Sequence, residues 1–493
     1  MAAILLVWMP AHAADIWVEV RSPHFTIATN LSADTGRHLV WQFEQIRSGL
    51  QTAWPWVKAD LDRPVLILAA RDVTTMKLLV PQEWEGHGSI HYWSYEWTGT
   101  DRNYFVLDAS RDMTDVPEGV NPFQQTYWSY ADLAMGSGLN WRLPFWFQKG
   151  LAAVLSNTII GKNDMQSGRP VPRYVDEIKL GRFPLDRLFA ITEESPEYRN
   201  DVERNRFIAQ SWGLMEYLLY GTPGPQGAAR IDTLAGEILA GTPPGEAVTK
   251  VFGSLAALDA AYTLYIDQGR MFYTVWKLDA TQTEKGYPSR PLRPAEVLAD
   301  RAAWYVTEKR PVEARAAIAD ARKLEPELAA TYDAEGRLFE SQNAAADAST
   351  AFDRAAELKS DDFYSYFQAA RPMLGPGRAS ADAITRATAL LTRALELNPQ
   401  YASSHSFLAS ALEQANQLPD AIGHARAAAA LMPAFVPFRV QLARLMARDG
   451  QKDNALRVAR DAELIARTDA DRRLVQTLLS DLQRGGMSHE AVH

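Results

Sequence analysis

His87 and His91 stand four residues apart, the spacing at which two imidazoles on one helix face can share a metal ion. Gly86, Gly88 and the β-branched Ile90 surround them, a composition that disfavours a helix, so they read as loop or strand histidines. His24 and His38 have no recognisable partners. The chain contains no cysteine, which excludes disulfides, thiolate metal sites and thiol catalysis. Nor does it contain H-E-x-x-H, in which two histidines hold zinc and the glutamate activates the metal-bound water. The remaining concentration of chemically capable side chains is Ser129, Asp132 and Lys149.

All three fall in Thr126 to Asn157, which reads as two helices joined by a Gly/Ser turn. The first helix buries Tyr127, Tyr130, Ala131 and Ala134. The second begins after Pro144, a residue suited to a helix's first turn. Its run L-P-F-W-F-Q-K-G-L-A carries Leu143, Pro144, Trp146, Gly150, Leu151 and Ala152.

This pair of helices resembles the peptidase MA-like gluzincins, zinc-peptidase-type domains that often precede tetratricopeptide repeats. In that family the first helix reads roughly H-E-Y-x-H and the second l-P-x-W-x-x-E-G-l-A. The resemblance implies that the two histidine ligands would fall at Trp128 and Asp132, the general-base glutamate at Ser129, and the third ligand at Lys149. An indole offers a metal no lone pair, and an ammonium brings positive charge to the place of a dication. The site thus reads as a peptidase centre that has lost its metal, with no cofactor. Lys149 and Asp132 are expected to form an ion pair there, with Trp128 plugging the pocket. Two other readings stay open: a Ser129–Lys149 nucleophile–base dyad, and a register off by one helical turn that leaves the four residues with ordinary structural roles.

The resemblance extends over about 15–270. It takes in the H-F-T-I-A-T strand after Ser22-Pro23 and the closing run G-E-A-V-T-K-V-F-G-S-L-A-A-L. Between these, Ser32 to Val57 has helical spacing of Leu39, Phe43, Ile46 and Leu50, and Pro64 to Ala69 is a short buried strand. Asp72 to Leu79 is a short helix and Asn103 to Asp108 a strand. In the family the cleft-edge strand lies beside the substrate backbone, which makes Trp93, Trp97 and Tyr104 candidate binding residues. Phe207 to Leu219, Ile231 to Leu239 and Pro244 to Phe252 read as further helices, and 271–294 as an extended linker.

From about Pro294 the sequence repeats every 34 residues. One column of small residues runs Ala314, Ala348, Ala387, Ala421 and Ala455, and a second Ala321, Ala355, Ala394, Ala428 and Ala462. Pro326, Ser360, Pro399 and Pro433 close the units, and Leu324, Phe352, Leu408 and Leu442 are the expected bulky fillers. The 348 to 387 step is five residues longer, with the excess near Pro372 to Gly377. Alanine columns at this period are what two closely packed antiparallel helices require, so these are tetratricopeptide repeats. Five units are expected over 295–482: 295–328, 329–362, 363–401, 402–435 and 436–469, then a capping helix to Leu482. The fold class is therefore an α+β zincin-like N-terminal domain followed by an all-α solenoid.

At 493 residues two or three domains are expected. The net charge of −9, with no basic stripe among aromatics, argues against nucleic acid as a partner. Residues 1–13 end in Ala11-His12-Ala13 after a short apolar run, the pattern of a cleaved signal peptide, which points to an exported, most simply periplasmic, protein. No later stretch is apolar enough to be a membrane span, so an integral membrane protein is not expected. The repeats present a concave face suited to a protein or peptide. The first functional reading is an exported interaction scaffold; the others are an active hydrolase, with a Ser129–Lys149 centre or a displaced metal, and a cell-envelope glycan-binding protein.

Overall fold

The computed structural model describes residues 16–61, 63–86, 94–110, 119–136, 142–221, 226–375 and 377–484. The signal-peptide reading of 1–13, the histidines His87 and His91, Trp93 and the turn at 137–141 lie outside these residues.

The N-terminal half is built on a six-stranded mixed sheet in the order β4-β5-β3-β2-β1-β9. Strands β1 (Val18–Arg21) and β2 (Phe25–Thr29) form a hairpin, and α1 (Ala33–Ala53) follows, its first turn capped by the Ser32 side chain. Then come β3 (Val65–Ala70), α2 (Val73–Leu79) with Asp72 as its cap, α3 (Pro81–Gly86), β4 (Ser94–Thr98) and β5 (Asn103–Asp108). β2, β3 and β5 run parallel; β4, β1 and β9 are antiparallel to their neighbours.

Two helices follow, α4 (Gln124–Gly136) and α5 (Phe145–Ser156). β6 (Ile159–Ile160) and β7 (Asp164–Ser167) open a small second sheet. Helices α6 (Pro172–Leu180), α7 (Leu185–Ala190), α8 (Pro196–Arg199), α9 (Asp201–Tyr220), α10 (Gln226–Leu239), α11 (Pro244–Phe252) and α12 (Leu255–Gln268) complete the half.

The region read from sequence as a linker is structured. β8 (Thr274–Lys277) pairs with β7, and β9 (Ser289–Pro291) pairs with β1 as the sheet's edge. Strands of three or four residues flanked by turns and prolines leave too little alternation to be seen in sequence.

The sheet is buried on both faces, which explains the unbroken apolar run V-L-I-L-A-A of β3. One set of alternate side chains, including Ile27, Ile67, Phe105 and Leu107, packs with α1, α4, α5 and α9. The opposite set, including Ala28, Leu66, Leu68, Tyr104 and Val106, packs against the start of the repeat array.

The C-terminal half is all helical and tetratricopeptide-like. Its pairs are α13 (Pro294–Thr307) with α14 (Pro311–Leu324), α15 (Ala329–Ser341) with α16 (Ala345–Glu357), and α17 (Phe363–Ala370) with α18 (Ala381–Leu397). α19 (Ala402–Gln414) with α20 (Leu418–Leu431), α21 (Val436–Arg448) with α22 (Lys452–Ile465), and a final α23 (Asp469–Arg484) follow. Both alanine columns are buried, as are Phe352, Leu408 and Leu442. Leu324 differs: it is 56% exposed at the last turn of α14, so it fills no space between helices. Lys309, Asn343, Asn416 and Gly450 all have positive φ at the turns between paired helices, a third column that follows the same period.

The array and the sheet share a core. Trp304 of α13 is fully buried, donates Nε1–H to the Leu79 carbonyl at 2.8 Å, and packs edge-on against Trp97 and tilted on Tyr104. Arg337 of α15 reaches Asp101 at 2.5 Å and Asp362 at 2.6 Å, and Arg102 joins the same two carboxylates at 2.9 and 2.5 Å. The inner side of the first two repeats is thus covered by the chain's own sheet. Further along, Lys58 donates to the Leu431 carbonyl at 2.6 Å and Arg142 to that of Leu464 at 3.0 Å.

Candidate functional site

α4 and α5 lie side by side, and their facing surfaces bring three of the four site residues together. Lys149 Nζ donates to both carboxylate oxygens of Asp132, at 2.8 and 2.7 Å. The same ammonium stands 5.3 Å from the centre of the Trp128 ring and 5.1 Å from that of Phe145. A cation held between a carboxylate and two ring faces is satisfied electrostatically on three sides. The pair is largely withdrawn from solvent, at 13% exposure for the Lys149 side chain and 23% for Asp132.

Ser129 takes a different part. It is buried, and its Oγ donates to the Gln125 carbonyl at 2.9 Å, one turn back along α4. The proton a nucleophilic serine would give to a base is held by the helix backbone, and Lys149 is engaged with Asp132.

The metal of the family that the helices resemble does not fit these residues. Trp128 has no lone pair to offer, and its Nε1–H is buried without a partner among the described residues. Lys149 brings a positive charge to the same place. Among the described residues no three His, Cys, Asp or Glu side chains cluster as a metal site would require.

The pair borders a cleft of about 850 Å³. One wall is formed by Thr98, Asn103, Asp132, Phe145 and Lys149, and the facing wall by Tyr401, Ser403, Met432 and Arg467 of the repeats. Glu96 on β4 lies close enough to feel Asp132 and Lys149. Glu96 is exposed at the strand surface; crowding around its carboxyl and the Asp132 charge, opposed by Lys149, push that carboxyl upward. Sequence reading missed Glu96 because only the packing of β4 on α4 brings it near the pair. Its signal was a lone acid at an alternate position of S-Y-E-W-T.

The aromatic candidates occupy other surroundings. Tyr104 is buried at 1% exposure and Trp97 is half-buried, and both pack on Trp304 at the sheet–array junction. Their ring faces are engaged by the protein itself, because Trp304 comes from a helix whose contact with the sheet the sequence does not announce.

No protein-family model matches this chain, and comparison with curated proteins finds no match. Among solved structures, YrrB, described as a TPR protein with an unusual peptide-binding site, is 17% identical. That match covers 36% of this chain and 89% of YrrB, with a TM-score of 0.31. PilW, a type IV pilus biogenesis factor, is 18% identical over 39% of this chain and 90% of its own, with a TM-score of 0.31. MamA is 15% identical over 40% and 98%, with a TM-score of 0.28. Among the described residues no helix is long and apolar enough to cross a membrane.

Proposed function

We propose that this chain is an exported protein-interaction scaffold in which a peptidase-like domain, its metal replaced by an ion pair, is clamped by a tetratricopeptide array. The observation that carries this reading is the Lys149 ammonium seated on Asp132 between the Trp128 and Phe145 rings. It supplies from within the chain the positive charge that a gluzincin takes from zinc. Partner binding falls to the cleft and to the later repeats, since the first two repeats are engaged by the sheet. The cleft's mixed walls suit an extended protein or peptide segment. The serine–lysine form of the hydrolase reading loses its base to Asp132, and the glycan reading loses Tyr104 to the core.

Metal analysis of the purified chain tests this reading. Substoichiometric zinc is expected, with no chelator-sensitive cleavage of a peptide library; stoichiometric zinc overturns it. A triple variant, Trp128→His, Asp132→His and Lys149→Glu, restores a His₂Glu donor set and is expected to bind zinc at one equivalent. A folded triple variant that binds none sinks the peptidase ancestry.

A further inference from the structure

A second cavity, of about 530 Å³, lies between the sheet and the first three repeats. That volume falls in the small-molecule range of roughly 300–1,000 Å³. Its walls are the β1–β3 side of the sheet, the inner faces of α13 and α15, and the strip 397–400 between α18 and α19.

Nearly every charged side chain on this wall is matched by another. Glu19 pairs with Arg21 and Arg290, and Arg21 also with Asp361. Glu296 pairs with Arg290, and Asp60 with Arg47. Asp362 pairs with Arg102 and Arg337, His24 with Glu44, and Asp333 accepts from the Ser360 and Ser365 hydroxyls. Two lining side chains are left with neither a hydrogen bond nor an ion pair among the described residues: Asp300 of α13 and Arg63 before β3. They are opposite in sign. Both are only partly exposed, and two unpaired charges of opposite sign on the walls of one cavity are the complement of a zwitterion.

We propose that this cavity binds a small zwitterion of the amino-acid or short-peptide class, its ammonium on Asp300 and its carboxylate on Arg63. Arg63 and Leu61 line both this cavity and the larger cleft, so the carboxylate end faces the route in from the cleft. Burial is the main cause that pushes the Asp300 carboxyl up to about 7; Glu19, Glu296 and Asp361 add to this and Arg102 opposes it. An ammonium at that carboxylate would return it to its charged form.

Calorimetric titration of the full chain with the standard amino acids, each alone, and with alanyl-alanine tests the assignment. Saturable binding of a free amino acid or of the dipeptide is expected, and the two arms tell one source from the other. Acetylating the ligand's amine or amidating its carboxylate should weaken binding by about tenfold or more, the weight of one charge-assisted contact. Asp300→Asn should abolish the penalty for acetylation, and Arg63→Gln the penalty for amidation. Absence of saturable binding by any of these ligands, or blocked forms that bind as well as free ones, overturns the assignment without recourse to either variant.

Discussion

Arg337 Nη2 lies 2.5 Å from Asp101 Oδ2, so a helix of the second repeat is tied to the turn between β4 and β5. Both side chains are nearly sealed from solvent, at 7% and 6% exposure. Burial favours neutral Asp101, but Arg337 and Arg102 outweigh it and hold its carboxyl well below the ordinary range. Removing one member of such a pair leaves an uncompensated buried charge, which typically costs about 3–5 kcal/mol. Asp101→Asn and Arg337→Met are each expected to lower unfolding stability by that order in urea denaturation. Both halves should lose structure together, since the two share this core. A loss near zero, or separate transitions for sheet and array in the wild-type chain, would contradict it.

The buried carboxyls also set a pH dependence. Burial pushes Asp333, Asp300 and Glu216 up to about 7. Between the ordinary carboxylate range and that value the folded chain holds protons that the unfolded chain has released. Stability therefore falls as pH rises through this window. Asp101 and Asp362 are shifted the other way, and their contribution is lost only on stronger acidification. Scanning calorimetry should show Tm decreasing from about pH 4.5 to about pH 7. The Asp300→Asn variant should have a shallower slope. A Tm that climbs across this interval would contradict the assignment of these groups.

Gly150 explains why a glycine follows Lys149. A Cβ there would stand 2.5 Å from the Ser211 carbonyl oxygen, so α5 and α9 meet backbone to backbone. Backbone cannot yield as a side-chain tip can. Gly150→Ala should destabilise by about 1–3 kcal/mol, the usual cost of overpacking. Gly423, in the middle of α20, has open space where its Cβ would be. Gly423→Ala should stabilise by about 0.5–1 kcal/mol through helix propensity alone. Equal effects at the two positions in chemical denaturation would refute the packing argument.

The repeats were legible because a 34-residue period stamps alanine at contact positions, and those alanines are indeed buried. Helices such as α1 and α2 were legible as helical stretches beginning at Ser32 and Asp72, and the structure shows those two side chains capping them. The Lys149–Asp132 contact was legible only through the motif frame, which aligns two helices. What stayed hidden depends on distant partners. β9 is three residues long and exists because β1 offers it an edge. Trp304 reads as an ordinary helix residue until Trp97, Tyr104 and the Leu79 carbonyl surround it. Arg63 and Asp300 carry no local signature, for a cavity is made by the meeting of parts that sequence treats apart.

That edge pairing bears on how the protein is made. β1 is synthesised before the other described strands and waits through roughly 270 residues of further translation for the strand that flanks it. Until then one margin of the sheet is bare, and the indole that seals its back has not left the ribosome. Any expression boundary drawn between the two halves would recreate the same half-finished state permanently.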